Sequence, residues 1–169
     1  MYKNVQIWTK LTNAIQDGDR PQIQLLLEEL GGVNAISDIG ETPLNIAAGE
    51  SKLDIMQYLL DLGANINGRC VEGYNAILNA ALSPQAALQS NFEAIDFLLE
   101  KGADLDAISL HQTTSLYALM QMKMFRPAEY LVKRGARLDV TSVRGIDLLS
   151  LECPESLRKL MNERVGTVN

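Results

Sequence analysis

Apolar residues fall along this chain in short bursts spaced by three and four positions, and glycines or polar pairs close most of the bursts. In GETPLNIAAGESKLDIMQYLLDLGANIN, residues 40–67, Leu44, Ala47 and Ala48 recur at i, i+3 and i+4, which predicts a short helix with one small, apolar face. Thr42-Pro43 starts that helix, because proline in a first turn lacks only an N–H that has no helical acceptor. Gly49-Glu50-Ser51 turns the chain. Leu53, Ile55, Met56, Leu59 and Leu60 then predict a second amphipathic helix, broken at Gly63, a residue suited to the left-handed position after a helix end. Such a pair cannot bury its apolar sides alone. It has to stack on neighbours of the same kind.

Those neighbours are present. An aliphatic residue followed by Asn or Asp recurs as Val33-Asn34, Ile66-Asn67, Leu105-Asp106 and Leu138-Asp139, at spacings of 33, 39 and 33. The preceding segments YLLDLGANIN (58–67), FLLEKGADLD (97–106) and YLVKRGARLD (130–139) align without a gap. The period divides a single domain, 1–169, into approximate units at 1–33, 34–66, 67–105, 106–138 and 139–169. The first reads as an amino-terminal cap, with Leu11, Ala14 and Ile15 on one helix, Asp17-Gly18-Asp19 as the turn, and Ile23, Leu25, Leu26, Leu27 and Leu30 on the next. The third opens at Asn75-Ala76-Ile77, and its extra length falls around SPQAALQSN, 83–91, predicting a lengthened helix or a protruding loop. The fourth opens at Thr114-Ser115-Leu116. The last, GIDLLSLECPESLRKLMNER (145–164), is shortened, and its charges suit a solvent-facing carboxyl-terminal cap.

Gly40, Thr42, Pro43, Leu44, Ala47 and Ala48, followed by Leu59, Leu60, Gly63, Ala64, Asn65 and Asn67, resemble the ankyrin-repeat pattern G-x-T-P-L-H-x-A-A, turn, helix, L-L-x-x-G-A-D-V-N. The resemblance covers nearly the whole chain, and several anchors recur at one period. It implies an all-α solenoid of about five stacked helix-turn-helix units with projecting β-hairpin-like loops. Leu119 and Met120 stand where the family has two alanines, so local splaying of the stack is expected there.

Composition narrows the function. With 47% hydrophobic residues the chain is not of the disordered class. Fifteen basic residues against 21 acidic ones give a net charge of -6, which argues against a nucleic-acid groove and for a partner protein with a basic or neutral surface. Cys70 and Cys153 fit no metal or crosslink spacing and read as two reduced thiols of a cytoplasmic protein. The opening MYKNVQIWTKLTNAIQDGD has no uninterrupted apolar core, and no apolar run approaches the roughly 20 residues of a membrane span. The single His111 removes triad and Cys/His schemes, no metal or cofactor set is expected, and no phosphate-cradling glycine loop occurs. Asp54, Asp96 and Glu129 are expected on the solvated outer faces of second helices, and Trp8, Met120, Met122 and Met124 in packing. No enzyme is indicated.

The family resemblance implies that loop tips and first helices form a concave recognition surface. Its mapping places Asp38, Val71, Leu110 and Val143 in one loop column and Ile36, Arg69, Ile108 and Thr141 in another; five of these eight are apolar. Loops without a partner would carry polar turn residues instead. Tyr74 falls where the family places a further contact, between Arg69, Glu72 and the next helix, and His111 is another candidate. The expected partner-binding set is thus Ile36, Asp38, Arg69, Val71, Glu72, Tyr74, Ile108, Leu110, His111 and Val143. Aliphatic members that fold down onto a neighbouring loop would be structural instead. The expected function is protein recognition by a small stand-alone adaptor or inhibitor, monomeric when free, with an immunity- or antitoxin-type antagonist as one concrete form. The alternative is an assembly protein that self-associates through its apolar loop tips.

Overall fold

The computed structural model describes residues 2–68, 75–109 and 112–166, with residues 2–4 described by their backbone alone. Helices α1 (Tyr2–Asp17) and α2 (Arg20–Leu30) form the first pair, and α3 (Pro43–Gly49) and α4 (Leu53–Asp61) the second. The third unit holds α5 (Ala76–Leu82), α6 (Pro84–Gln89) and α7 (Glu93–Glu100), and the fourth α8 (Ser115–Gln121) and α9 (Phe125–Lys133). A single 3-10 turn, Leu148–Ser150, and α10 (Glu155–Gly166) complete the stack. Among the described residues the strand content is one isolated antiparallel bridge, Thr141 to Asp147.

The first helices of the second, third and fourth units, α3, α5 and α8, each start on a side-chain cap. Thr42 Oγ1 accepts from Asn45 N (3.2 Å), Asn75 Oδ1 from Leu78 N (2.8 Å) and Thr114 Oγ1 from Tyr117 N (3.3 Å), satisfying amide groups that have no helical acceptor. The first helices pack on one another in order, α1 on α3, α3 on α5 and α5 on α8. Leu11, Ile15, Leu44, Ala47, Ala48, Ile77, Ala80, Ala81 and Leu116 are buried along this layer. Leu119 and Met120 are also fully buried, and α8 keeps its packing against α5 and α9, so the extra volume of these two side chains lies inside the core. The 83–91 stretch folds as α6, capped by Ser83 Oγ accepting from Ala86 N at 3.1 Å, with Pro84 at its first turn. The segment is thus neither a lengthened α5 nor an open loop: α5 ends at Leu82, and Ser83 interrupts the helical backbone before a separate short helix.

The recurring Asn or Asp ties the loop after one helix pair to the loop after the next. Asn34 Oδ1 accepts from the backbone of Asn65 (2.7 Å), Asn67 Oδ1 from Asp104 (2.8 Å) and Asp106 Oδ1 from Arg137 (2.8 Å). Asp139 occupies the same register and instead receives the Arg137 guanidinium, at 3.0 and 3.1 Å. That pair holds the Asp139 carboxyl below the usual carboxylate range.

Second helices are clasped on their outer side. Tyr58 Oη donates to Gln24 Oε1 (3.1 Å) beneath the Arg20 guanidinium, and Arg20 approaches Asp54 at 4.0 Å. Tyr130 repeats the arrangement between α9 and α7: it stacks on Phe92 at 4.1 Å and its hydroxyl donates to Asp96 at 2.5 Å, with Arg134 3.2 Å from the same carboxylate. Glu129 pairs with Lys133 at 2.7 Å. At the far end Arg164 donates to the carbonyls of Val132, Ala136 and Gly135, closing the carboxyl end of α9 where a cation also meets the helix dipole.

Burial, and then the Asp96 carboxylate, push the Tyr130 phenol up to about 12 from 10.0. Because the folded value lies above the unfolded one, this stabilisation is complete below pH 10 and is lost as pH rises through about 12. Tyr130→Phe should therefore cost about 1 kcal/mol in denaturant unfolding at neutral pH. The gap between variant and parent should close between pH 10 and 12; a gap unchanged across that range would show that it does not depend on the protonated hydroxyl.

Candidate recognition surface

Three loops preceding first helices share one ring of hydrogen bonds. Ser37 N donates to Glu41 O (2.9 Å), Gly40 N to Ser37 O (2.8 Å) and Glu41 N to Ser37 Oγ (2.9 Å). Ser109 with Gln112 and Thr113, and Ser142 with Gly145 and Ile146, repeat all three bonds. The ring pairs the backbone groups that close each loop, so the aliphatic side chains beside it are not needed to hold the turn.

One position in each ring needs a left-handed backbone, with φ of +82° at Gly40 and +73° at Gly145. Gln112 stands there at +57°. The left-handed conformation costs an L-residue roughly 1–2 kcal/mol, partly offset in a glycine variant by its freer unfolded chain. Gln112→Gly should raise stability by about 0.5–1 kcal/mol in chemical denaturation. A loss would mean that the Gln112 side chain itself holds the loop.

Among the expected contact residues, Ile36 (57% exposed), Ile108 (41%) and Val143 (57%) all present aliphatic surface to solvent, and Asp38 and Thr141 are exposed with them. None folds down into the core. Arg69, Val71, Glu72, Tyr74, Leu110 and His111 lie outside the described residues.

Sequence reasoning passed over Ile39, which at 71% is more exposed than any of these. It forms one wall of a groove of about 240 Å³ between the 37–41 loop and α1. Val5, Trp8 and Thr12, spaced by three and four, form the opposite wall. Trp8 packs against the core with part of its ring and lines the groove with the rest, so its assignment to packing covers only half of its surroundings. The missed signal is this second stripe on α1, offset from the core stripe of Ile7, Leu11, Ala14 and Ile15. Glu41 also lines the groove; burial raises its pKa above the ordinary glutamate value.

No group of three or more His, Cys, Asp or Glu able to hold a metal occurs among the described residues, and no helix among them is long and apolar enough to cross a membrane. Stacked helix pairs that present loop and inner-helix side chains define a binding scaffold, a class in which recognition is built from surface rather than from a reactive centre. The chain belongs to the ankyrin-repeat family: the family model for ankyrin repeats in three copies matches residues 11–109. It is 36% identical over 105 residues to human ankyrin repeat and SOCS box protein 6, a match covering 61% of this chain and 25% of that protein. It is 33% identical over 95 residues to the Caenorhabditis elegans BRCA1-associated RING domain protein 1, covering 56% and 13%. A match to alpha-latroinsectotoxin-Lt1a of Latrodectus tredecimguttatus is 29% identical over 127 residues, covering 74% and 8%. The chain thus spans a quarter or less of the length of these relatives. Ankyrin repeats are protein-protein interaction modules, and no enzymatic family is indicated.

Proposed function

We propose that this ankyrin stack is an adaptor or inhibitor that holds one partner protein against its loop tips and first helices, and that it acts as an antagonist by masking a basic or neutral surface of that partner in the cytoplasm. The observation that carries this reading is the row of exposed aliphatic side chains, Ile36, Ile39, Ile108 and Val143, on loops whose backbone is already satisfied. Exposed aliphatics have no role in such turns, whereas clustered on one surface they favour contact with another protein. The net charge of -6 supports a basic partner through complementary steering. The names of the human and worm relatives join ankyrin repeats to a SOCS box and mention a RING domain, which supports repeats serving as the recognition part of a larger arrangement.

The test is affinity capture with the immobilised chain, followed by titration of each purified captured protein and assay of that protein's own activity. A one-to-one complex in which the partner's activity falls supports the antagonist. A one-to-one complex with unchanged activity leaves the adaptor and removes the inhibitor. Concentration-dependent self-association with no captured protein would favour an assembly role and overturn both.

A further inference from the structure

We propose that the groove between α1 and the 37–41 loop receives a segment of the partner protein in which a lysine or arginine lies beside an aliphatic or aromatic side chain. This deepens the recognition reading above and rests on it. Val5, Trp8 and Ile39 give the groove apolar walls, and Asp38 and Glu41 are its only ionisable lining groups among the described residues, both acidic. Among the described residues no lysine, arginine or histidine lines it. Glu41 is half-buried, and its side chain has neither a hydrogen-bond donor nor a cation as partner among the described residues; burial is the sole cause of its raised pKa.

A carboxylate in that position works against folding. Since its folded pKa is raised, the sign runs against the charged form, and stability falls as pH rises through its titration. A guanidinium or ammonium from outside would give the carboxylate the charge-assisted hydrogen bonds it lacks, while the neighbouring side chain of the same segment covers Trp8 and Ile39. A volume of about 240 Å³ suits one or two side chains and is small for a cofactor. Two carboxylates also repel phosphate, which removes nucleic acids and lipid headgroups as occupants.

The test uses random dodecapeptides displayed on phage and panned against the full chain. Enriched peptides are synthesised and titrated while the emission of Trp8, the chain's single tryptophan, is followed. The expected result is a lysine or arginine within two positions of an apolar residue, a blue shift of Trp8 on binding, and affinity at least about 10-fold weaker in Glu41→Gln and in Ile39→Ser. Glu41→Gln should meanwhile melt at the parent temperature or above it, because no folded-state partner of the carboxylate is lost. Failure to enrich any peptide, enriched peptides without a basic residue, unmoved Trp8 emission, or parental affinity in Glu41→Gln would each overturn the proposal. Failure of the recognition reading itself looks different: no captured protein then forms a one-to-one complex, whatever the peptides do.

Discussion

Leu44→Ala should lower the free energy of unfolding by about 2–5 kcal/mol, the range for emptying the place of a buried leucine. Leu44 is 1% exposed, on α3, which packs against α1 on one side and α5 on the other. Its side chain therefore fills the junction between units, where neither neighbour can collapse into the void without breaking its own stacking. The loss would be read as a lower denaturant midpoint with coincident fluorescence and circular dichroism transitions. Leu25→Ala is the control: Leu25 lies on α2 and is exposed, so its loss should stay within about 0.5 kcal/mol. Equal effects from the two substitutions would mean that the assigned stacking layer is not where stability resides.

Replacing Ile36 and Ile108 together with aspartate should separate binding from folding. Both side chains are exposed and on loops whose hydrogen-bond rings involve backbone and serine or threonine groups only, so the melting temperature and the helical spectrum should be nearly those of the parent. Affinity for the captured partner should fall by at least about 100-fold, or roughly 2.7 kcal/mol, because two carboxylates would be stripped of water in an apolar contact. A double variant that unfolds would place those side chains in the core. One that stays folded and binds at full strength would move recognition elsewhere on the stack, and α6, with its exposed Leu88, would be the next segment to delete.

The repeat and its helices were legible because the signals are local. Leu44, Ala47 and Ala48 share a helical face, and a cap sits one residue ahead of α3, α5 and α8, whether the residue is Thr42, Asn75 or Thr114. The helix in the 83–91 stretch was legible in part, since Ser83 and Pro84 are a cap and a first-turn residue, yet a polar stretch with the same start also suits a loop. Other features depend on partners far along the chain. The hydroxyl of Tyr130 and the carboxylate of Asp96 are 34 residues apart, and nothing in either neighbourhood announces the bond. The groove by α1 was hidden for a different reason. Val5, Trp8 and Thr12 obey the same helical spacing as the core stripe beside them, and periodicity alone does not say which stripe the next unit covers.

The bonds from Asn34, Asn67 and Asp106 all run the same way, from an acceptor side chain after one helix pair to a backbone amide after the next. The stack therefore has a direction. Cutting it back from the carboxyl end would free Asn or Asp side chains, and cutting it back from the amino end would free the amides of Asn65, Asp104 or Arg137, all in solvent-exposed bonds where water takes the place of the lost partner. Shortening by one helix pair therefore gives up one such bond at either end, and water compensates it alike at both.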